Sequence, residues 1–119
     1  MTTKRYALAA DPQQLAMLIV ARANAGDADG MAALYEQDAV LVTGAATVAR
    51  GRTQIRAFWA NAIAQGRKFT TGHQRPAVVS GDLALTSTRF EDGRTTAEVA
   101  RRQPDGSWRW VVDQPTIAE

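Results

Sequence analysis

The segment Asn24-Ala25-Gly26-Asp27-Ala28-Asp29-Gly30-Met31-Ala32-Ala33-Leu34-Tyr35-Glu36-Gln37-Asp38-Ala39-Val40-Leu41-Val42 constrains the fold more than any other part of the chain. An amphipathic stretch reaches Gly26, a residue able to take the left-handed conformation that ends a helix, and Asp27 follows at once as an N-cap. One helix must therefore stop and another start with no linker between them. The second helix runs directly into an apolar strand, so two helices and a strand have to pack within one small unit.

Upstream, Asp11 as N-cap, Pro12 at the first helical position and Gln14 at the third predict a helix over residues 12–25. Leu15, Leu18, Ile19 and Arg22 share one of its faces. In the second helix Met31, Leu34 and Tyr35 point together. A strand is expected over 39–43 and a short one over 47–49. A third helix opens at Gly51-Arg52, where Ile55, Phe58, Trp59 and Ile63 form an i, i+3, i+4, i+8 stripe that ends at Gly66. Four further strands are predicted over 69–79, 83–90, 95–102 and 107–112. Their separators, Ser80-Gly81-Asp82, Glu91-Asp92-Gly93 and Pro104-Asp105-Gly106, carry the turn chemistry of hairpins. Helices first and a meander of strands afterwards imply an α+β fold, with N-terminal helices packed on a curved, mainly antiparallel sheet.

A chain of 119 residues is expected to form a single domain spanning 1–119 with one core. Its net charge is only +2 and no window holds five or six like charges, which argues against nucleic acid as a partner. There is no Cys and a single His, so neither a disulfide framework nor a zinc set can be built. No P-loop, dinucleotide fingerprint or Gly-x-Ser-x-Gly motif is present, and neither metal nor cofactor is expected. Lys4 and Arg5 ahead of the apolar run 15–21 imitate a signal peptide, but the polar insert Asp11-Pro12-Gln13-Gln14 breaks the pattern. The expectation is a cytoplasmic protein with no membrane span.

Four pieces in order, Ala23-Asn24-Ala25-Gly26-Asp27, Asp38-Ala39-Val40, Gly51-Arg52-x-x-Ile55-Arg56-x-Phe58-Trp59 and Arg101-Arg102-Gln103-Pro104-Asp105-Gly106-Ser107-Trp108, resemble the SnoaL-like, ketosteroid-isomerase-like branch of the nuclear transport factor 2-like superfamily. The resemblance runs from about Leu15 to Pro115. It implies a cystatin-like α+β cone with an internal pocket, and residues 1–10 as a flexible or dimer-packing segment. It does not imply one activity, because this fold hosts isomerases, dehydratases, cyclases and association domains. Aligned on the same motifs, the ketosteroid isomerase oxyanion Tyr, base and oxyanion Asp fall on Ile19, Thr43 and Ala100. None of these can perform that enzyme's proton transfer.

The resemblance places Ile19, Tyr35, Phe58 and Trp59 around the cavity, although the same stripes would serve as ordinary core. His73, the only His, lies on the predicted 69–79 strand and is the one side chain that titrates near neutrality without a shift. Strand parity groups Asp113 with Arg109 and Val111, opposite Trp108, Trp110 and Val112, and the resemblance implies that the Asp113 side faces the cavity while Trp108 and Trp110 face outward. His73 and Asp113 would then form a catalytic base with its orienting carboxylate, and Arg89 or Glu98 would complete a polar cluster. The competing readings are a surface His and a strand-end Asp paired with Arg, and one bulge would invert the parity. Outward Trp108 and Trp110 predict a homodimer through the outer sheet face, unless the chain's own N-terminal segment covers them. Three functions fit: acid–base chemistry on a small apolar or aromatic, oxygenated metabolite; a non-catalytic dimeric association module; or a carrier or sensor that binds without turnover.

Overall fold

Gly26 and Gly66 end helices by the same device. In the computed structural model, which describes residues 6–118, the helices are α1 (Gln14–Asn24), α2 (Ala28–Ala32) and α3 (Gly51–Ala64). The glycines that follow α1 and α3 adopt φ of +70° and +78°. The amide after each glycine, Asp27 or Arg67, then donates five residues back, to Arg22 O at 2.9 Å and to Ala62 O at 3.1 Å. Any other L-residue would pay a steric penalty at this left-handed position. Asp27 caps α2 by accepting from the Gly30 amide at 2.9 Å, and Asp11 accepts from the amides of Gln13 and Gln14 at 3.0 and 3.1 Å. Pro12 thus lies in the turn before α1, which starts later than expected.

The strands are β1 (Tyr35–Val42), β2 (Val48–Arg50), β3 (His73–Gln74), β4 (Val78–Ser80), β5 (Leu83–Thr86), β6 (Thr88–Arg89), β7 (Thr95–Arg102) and β8 (Trp108–Ala118). They form one unclosed sheet in the order β2-β1-β8-β7-β5-β4, with the β3–β6 pair attached to β7 through β6. Every pairing is antiparallel except that of β1 with β8. The expected 69–79 strand is divided. Residues 67–72 run as a loop, and Pro76, which has no amide to donate, stands between β3 and β4. Tyr35 belongs to β1 rather than to the second helix, and β8 continues past Val112 to Ala118.

A bulge sets which side chains face the helices. Glu98, Val99 and Ala100 of β7 pair with Asp113, Val112 and Trp110 of β8, so Val111 is the extra residue. It reverses the alternation along β8, and Trp110 and Asp113 both face inward. Residues in register then fall into rows. Ala84, Ala100, Trp110 and Tyr35 make one inner row, and Thr86, Glu98, Asp113 and Leu41 the next, all of them buried. On the opposite face Val78, Leu85, Val99, Val112 and Val40 align across five strands.

The core lies between the inner rows and the helices, with Leu15, Met31, Tyr35, Leu41 and Ile55 fully buried. Trp108 and Trp110 are part of it, at 7% and 3% exposure, so neither indole forms an outer dimer surface. The Trp108 amide donates to the Ala9 carbonyl at 3.0 Å, which draws the N-terminal segment alongside it. Buried Arg22 donates to the Gly30 carbonyl at 2.8 Å and to the Ala7 carbonyl, holding the same segment to α1. Of the residues 1–10 expected to be flexible or dimer-packing, 1–5 lie outside the described residues, while Ala9 is buried. Lys4 and Arg5 are likewise outside them. Among the described residues no helix is long and apolar enough to cross a membrane.

Candidate functional site

A cavity of about 150 Å³ opens between α1, the 67–72 loop and the inner face of the sheet. Its walls are apolar, from Ile19 and Val20 of α1, Met31 of α2, Trp59 of α3, and Phe69, Phe90 and Trp110. Its charged groups are Glu98 and Asp113 from the second inner row and the cations Arg67, Lys68 and Arg94, with uncharged polar side chains such as Gln74, Thr88 and Thr96 also in the lining. An apolar cavity of this volume holds about one aromatic ring.

The acidic part follows from sheet register. Glu98 and Asp113 are directly opposed on antiparallel strands and on the same face, a position where side chains are in contact distance and like charges repel. Asp113 Oδ2 accepts from the Tyr35 hydroxyl at 2.5 Å, and Glu98 Oε1 accepts from the Thr86 hydroxyl at 2.7 Å. Burial pushes the Asp113 carboxyl up to about 7, and the charge of Glu98 adds to this, while the Tyr35 hydrogen bond opposes it. Glu98 is also raised, mainly by burial, against hydrogen bonds from Thr96 and Thr86. Tyr35 is held well above its ordinary value by burial and then by the neighbouring Asp113. Two buried carboxyls facing each other both hold their protons above the usual carboxylate range, and they titrate as a pair.

Tyr35 is fixed from behind. Arg52, in the Gly51-Arg52 start of α3, donates to the Tyr35 carbonyl from Nη2 at 2.6 Å and from Nε at 3.2 Å. Pairing of β1 with β8 is irregular between Tyr35 and Val40, so this carbonyl gains from Arg52 the partner that a regular ladder would supply. The Trp110 ring packs against Tyr35 with centroids 5.4 Å apart. The indole nitrogen of Trp110 is buried without a hydrogen-bond partner among the described residues, a type of gap that ligands or waters fill at functional sites.

Ile19, Trp59, Glu98 and Asp113 are thus brought together around the cavity, and Tyr35 stands directly behind Asp113. Phe58 does not line it; its ring packs edge-on against Trp59 at 5.0 Å and braces that wall. His73 and Arg89 are paired with each other in register on β3 and β6, both are exposed, and neither reaches the cavity. The expected His73–Asp113 pair is therefore not formed. The division of the 69–79 strand carries His73 to the edge, and Asp113 takes Tyr35 as its partner instead. At the three ketosteroid isomerase positions, Ile19 lines the cavity, Ala100 is buried opposite Trp110, and Thr43 lies beyond β1, bonded to the Thr47 hydroxyl at 2.9 Å. Arg52, Arg67 and Arg94 were not singled out from the sequence. Only Arg52 had a local signal, its place in the third motif.

Solved structures support the fold independently. A domain of unknown function with a cystatin-like fold from Nostoc punctiforme superposes with a TM-score of 0.74 at 20% identity, covering 89% of this chain and 74% of its own. A proposed calcium/calmodulin-dependent protein kinase type II association domain from Thiobacillus denitrificans gives 0.73 at 18% identity, covering 92% and 98%. A ketosteroid isomerase-like protein from Erwinia carotovora atroseptica gives 0.69 at 18% identity, covering 90% and 94%. Curated protein sequences gave no match. With the α+β cone, its internal cavity and a family match over residues 18–119, the chain belongs to the SnoaL-like domain family.

Proposed function

We propose that the cavity binds a small, largely apolar molecule about the size of one aromatic ring, bearing an oxygen function, and that Asp113 exchanges a proton with it. The observation that carries this reading is the buried Asp113 carboxyl, raised to about 7, in the wall of a mainly apolar cavity. A group with that proton affinity can act as acid or base at neutral pH. Its Oδ2 accepts from Tyr35, and the carboxyl lines the cavity, where a ligand oxygen meets it. Tyr35 and Glu98 then tune the group rather than contact the ligand first. This differs from the ketosteroid isomerase arrangement, whose three positions hold Ile19, Thr43 and Ala100.

Phenol binding, followed by calorimetry from about pH 5 to about pH 9, tests the reading. Affinity should change with a midpoint near that of Asp113, and Asp113→Asn should remove the dependence while leaving the protein folded. Affinity that is flat with pH in the unmodified protein would exclude Asp113 as the proton-exchanging group.

The aligned row Val78, Leu85, Val99, Val112 and Val40 favours a second property, homodimerisation through the outer sheet face. Val78, Leu85 and Val112 are 65%, 50% and 41% exposed, and they form one contiguous apolar strip. A similarity in fold to a proposed association domain agrees with this. The proposed contact uses these aliphatic side chains and not Trp108 or Trp110.

A further inference from the structure

The cavity has an unusual distribution of charge. Its acids, Glu98 and Asp113, are buried on the sheet, while Arg67 and Lys68 are exposed and Arg94 half-buried at the mouth. Arg67 follows Gly66 at the end of α3, so the helix terminus fixes where it leaves the backbone. Its guanidinium lies over the rings of Phe69 at 5.2 Å and Trp59 at 5.5 Å. Arg94 is set by the 90–94 turn, in which its amide donates to Asp92 Oδ1 at 2.9 Å and its carbonyl accepts from the Phe90 amide at 2.8 Å. The Arg94 guanidinium lies 4.1 Å from the centre of the Phe90 ring.

Neither guanidinium has a carboxylate partner among the described residues, although Arg56, Arg101 and Arg102 all do. Desolvation and the charge of Arg94 both lower the pKa of Arg67, so the two cations act on each other. Aromatic faces orient the planar groups, leaving their N–H edges for a ligand. Two like charges held together without compensation carry a cost that a bound anion would remove.

We propose that Arg67 and Arg94 form an anion subsite at the cavity mouth, and that the ligand is a small carboxylate whose apolar body fills the cavity beyond it. The orientation follows from charge. A carboxylate placed deep in the cavity would meet Asp113 and Glu98, whereas at the mouth it meets two guanidiniums suited to bidentate pairing. This rests on the cavity reading above and adds the chemical class of its ligand.

Calorimetry with 3-phenylpropanoate and with uncharged 3-phenylpropan-1-ol separates the two claims. The acid should bind about tenfold or more tightly than the alcohol, the gain expected of charge-assisted hydrogen bonds. Arg67→Gln with Arg94→Gln should bring the two affinities to within about twofold of each other, and Arg67→Lys with Arg94→Lys should keep part of the preference. Equal binding of acid and alcohol by the unmodified protein would overturn the anion subsite and leave the cavity reading standing. An acid preference that survives the double Gln variant would also overturn it. Failure of both probes to bind would remove the cavity reading and the subsite together.

Discussion

Trp110 and Asp113 face the same cavity although they are three residues apart on one strand. Uninterrupted alternation would place them on opposite faces. The extra residue Val111 makes the difference, and it brings an indole wall and a buried carboxyl into one site.

The raised Asp113 gives stability a defined pH dependence. Between about pH 4 and about pH 7 the carboxyl is protonated in the folded chain and ionised in the unfolded one, so unfolding releases a proton. Stability is therefore greatest at the acid end of this window and falls as pH rises through it, at up to about 1.4 kcal/mol per pH unit. Asp113→Asn should flatten that slope, as measured by denaturant unfolding at a series of pH values.

Tyr35→Phe removes the donor that holds the Asp113 carboxylate. Because this hydrogen bond favours the ionised form, the apparent pKa of Asp113 should rise further. Stability should drop by about 1–3 kcal/mol at neutral pH. Carboxyl ¹³C NMR reads the first effect, and an unchanged or lowered titration midpoint would contradict the assigned role.

His73→Gln should change neither ligand affinity nor stability by more than about 0.5 kcal/mol, as for other exposed positions away from a site. A large loss of binding in calorimetry would mean that His73 reaches the ligand after all.

Gly72 is needed for its size and not for its backbone angle. A Cβ at this position would lie 2.7 Å from the Arg89 carbonyl oxygen and 2.9 Å from the Phe90 ring. Gly72→Ala should cost about 1–3 kcal/mol in thermal unfolding, because the backbone beneath it cannot yield easily.

Leu85→Lys and Val112→Glu place charge in the outer apolar strip. Native mass spectrometry should show a dimer for the unmodified protein and a folded monomer for the double variant. A dimer that persists in the double variant would locate the contact elsewhere.

What could be read from the sequence was local in origin. Gly26, Gly66 and Asp27 act through the few residues around them, so the helix ends were legible, and with the later turns they led to the α+β cone that the family match bears out. Pairing register is not local. Nothing in the composition of Arg109-Trp110-Val111-Val112-Asp113 announces a bulge, because it arises from how β7 meets β8. For that reason the outward Trp110 was misplaced, and the Glu98–Asp113 juxtaposition could not be read. Arg67 and Arg94 lie outside any periodic pattern, one beyond a helix and one in a turn, and only the assembled structure brings them to the same opening.

The parallel pairing of β1 with β8 also governs when the site can exist. The Tyr35–Asp113 hydrogen bond closes a span of 78 residues, and β8 is the central strand between β1 and β7. During synthesis the helices and the first strand leave the ribosome long before the strand that joins the two halves of the sheet. Until β8 arrives, Tyr35 has no acid to hold, the cavity has no back wall, and the apolar faces of β1 and β7 are uncovered. The pairing of β8 with both β1 and β7 is thus a shared requirement of the sheet and of the site.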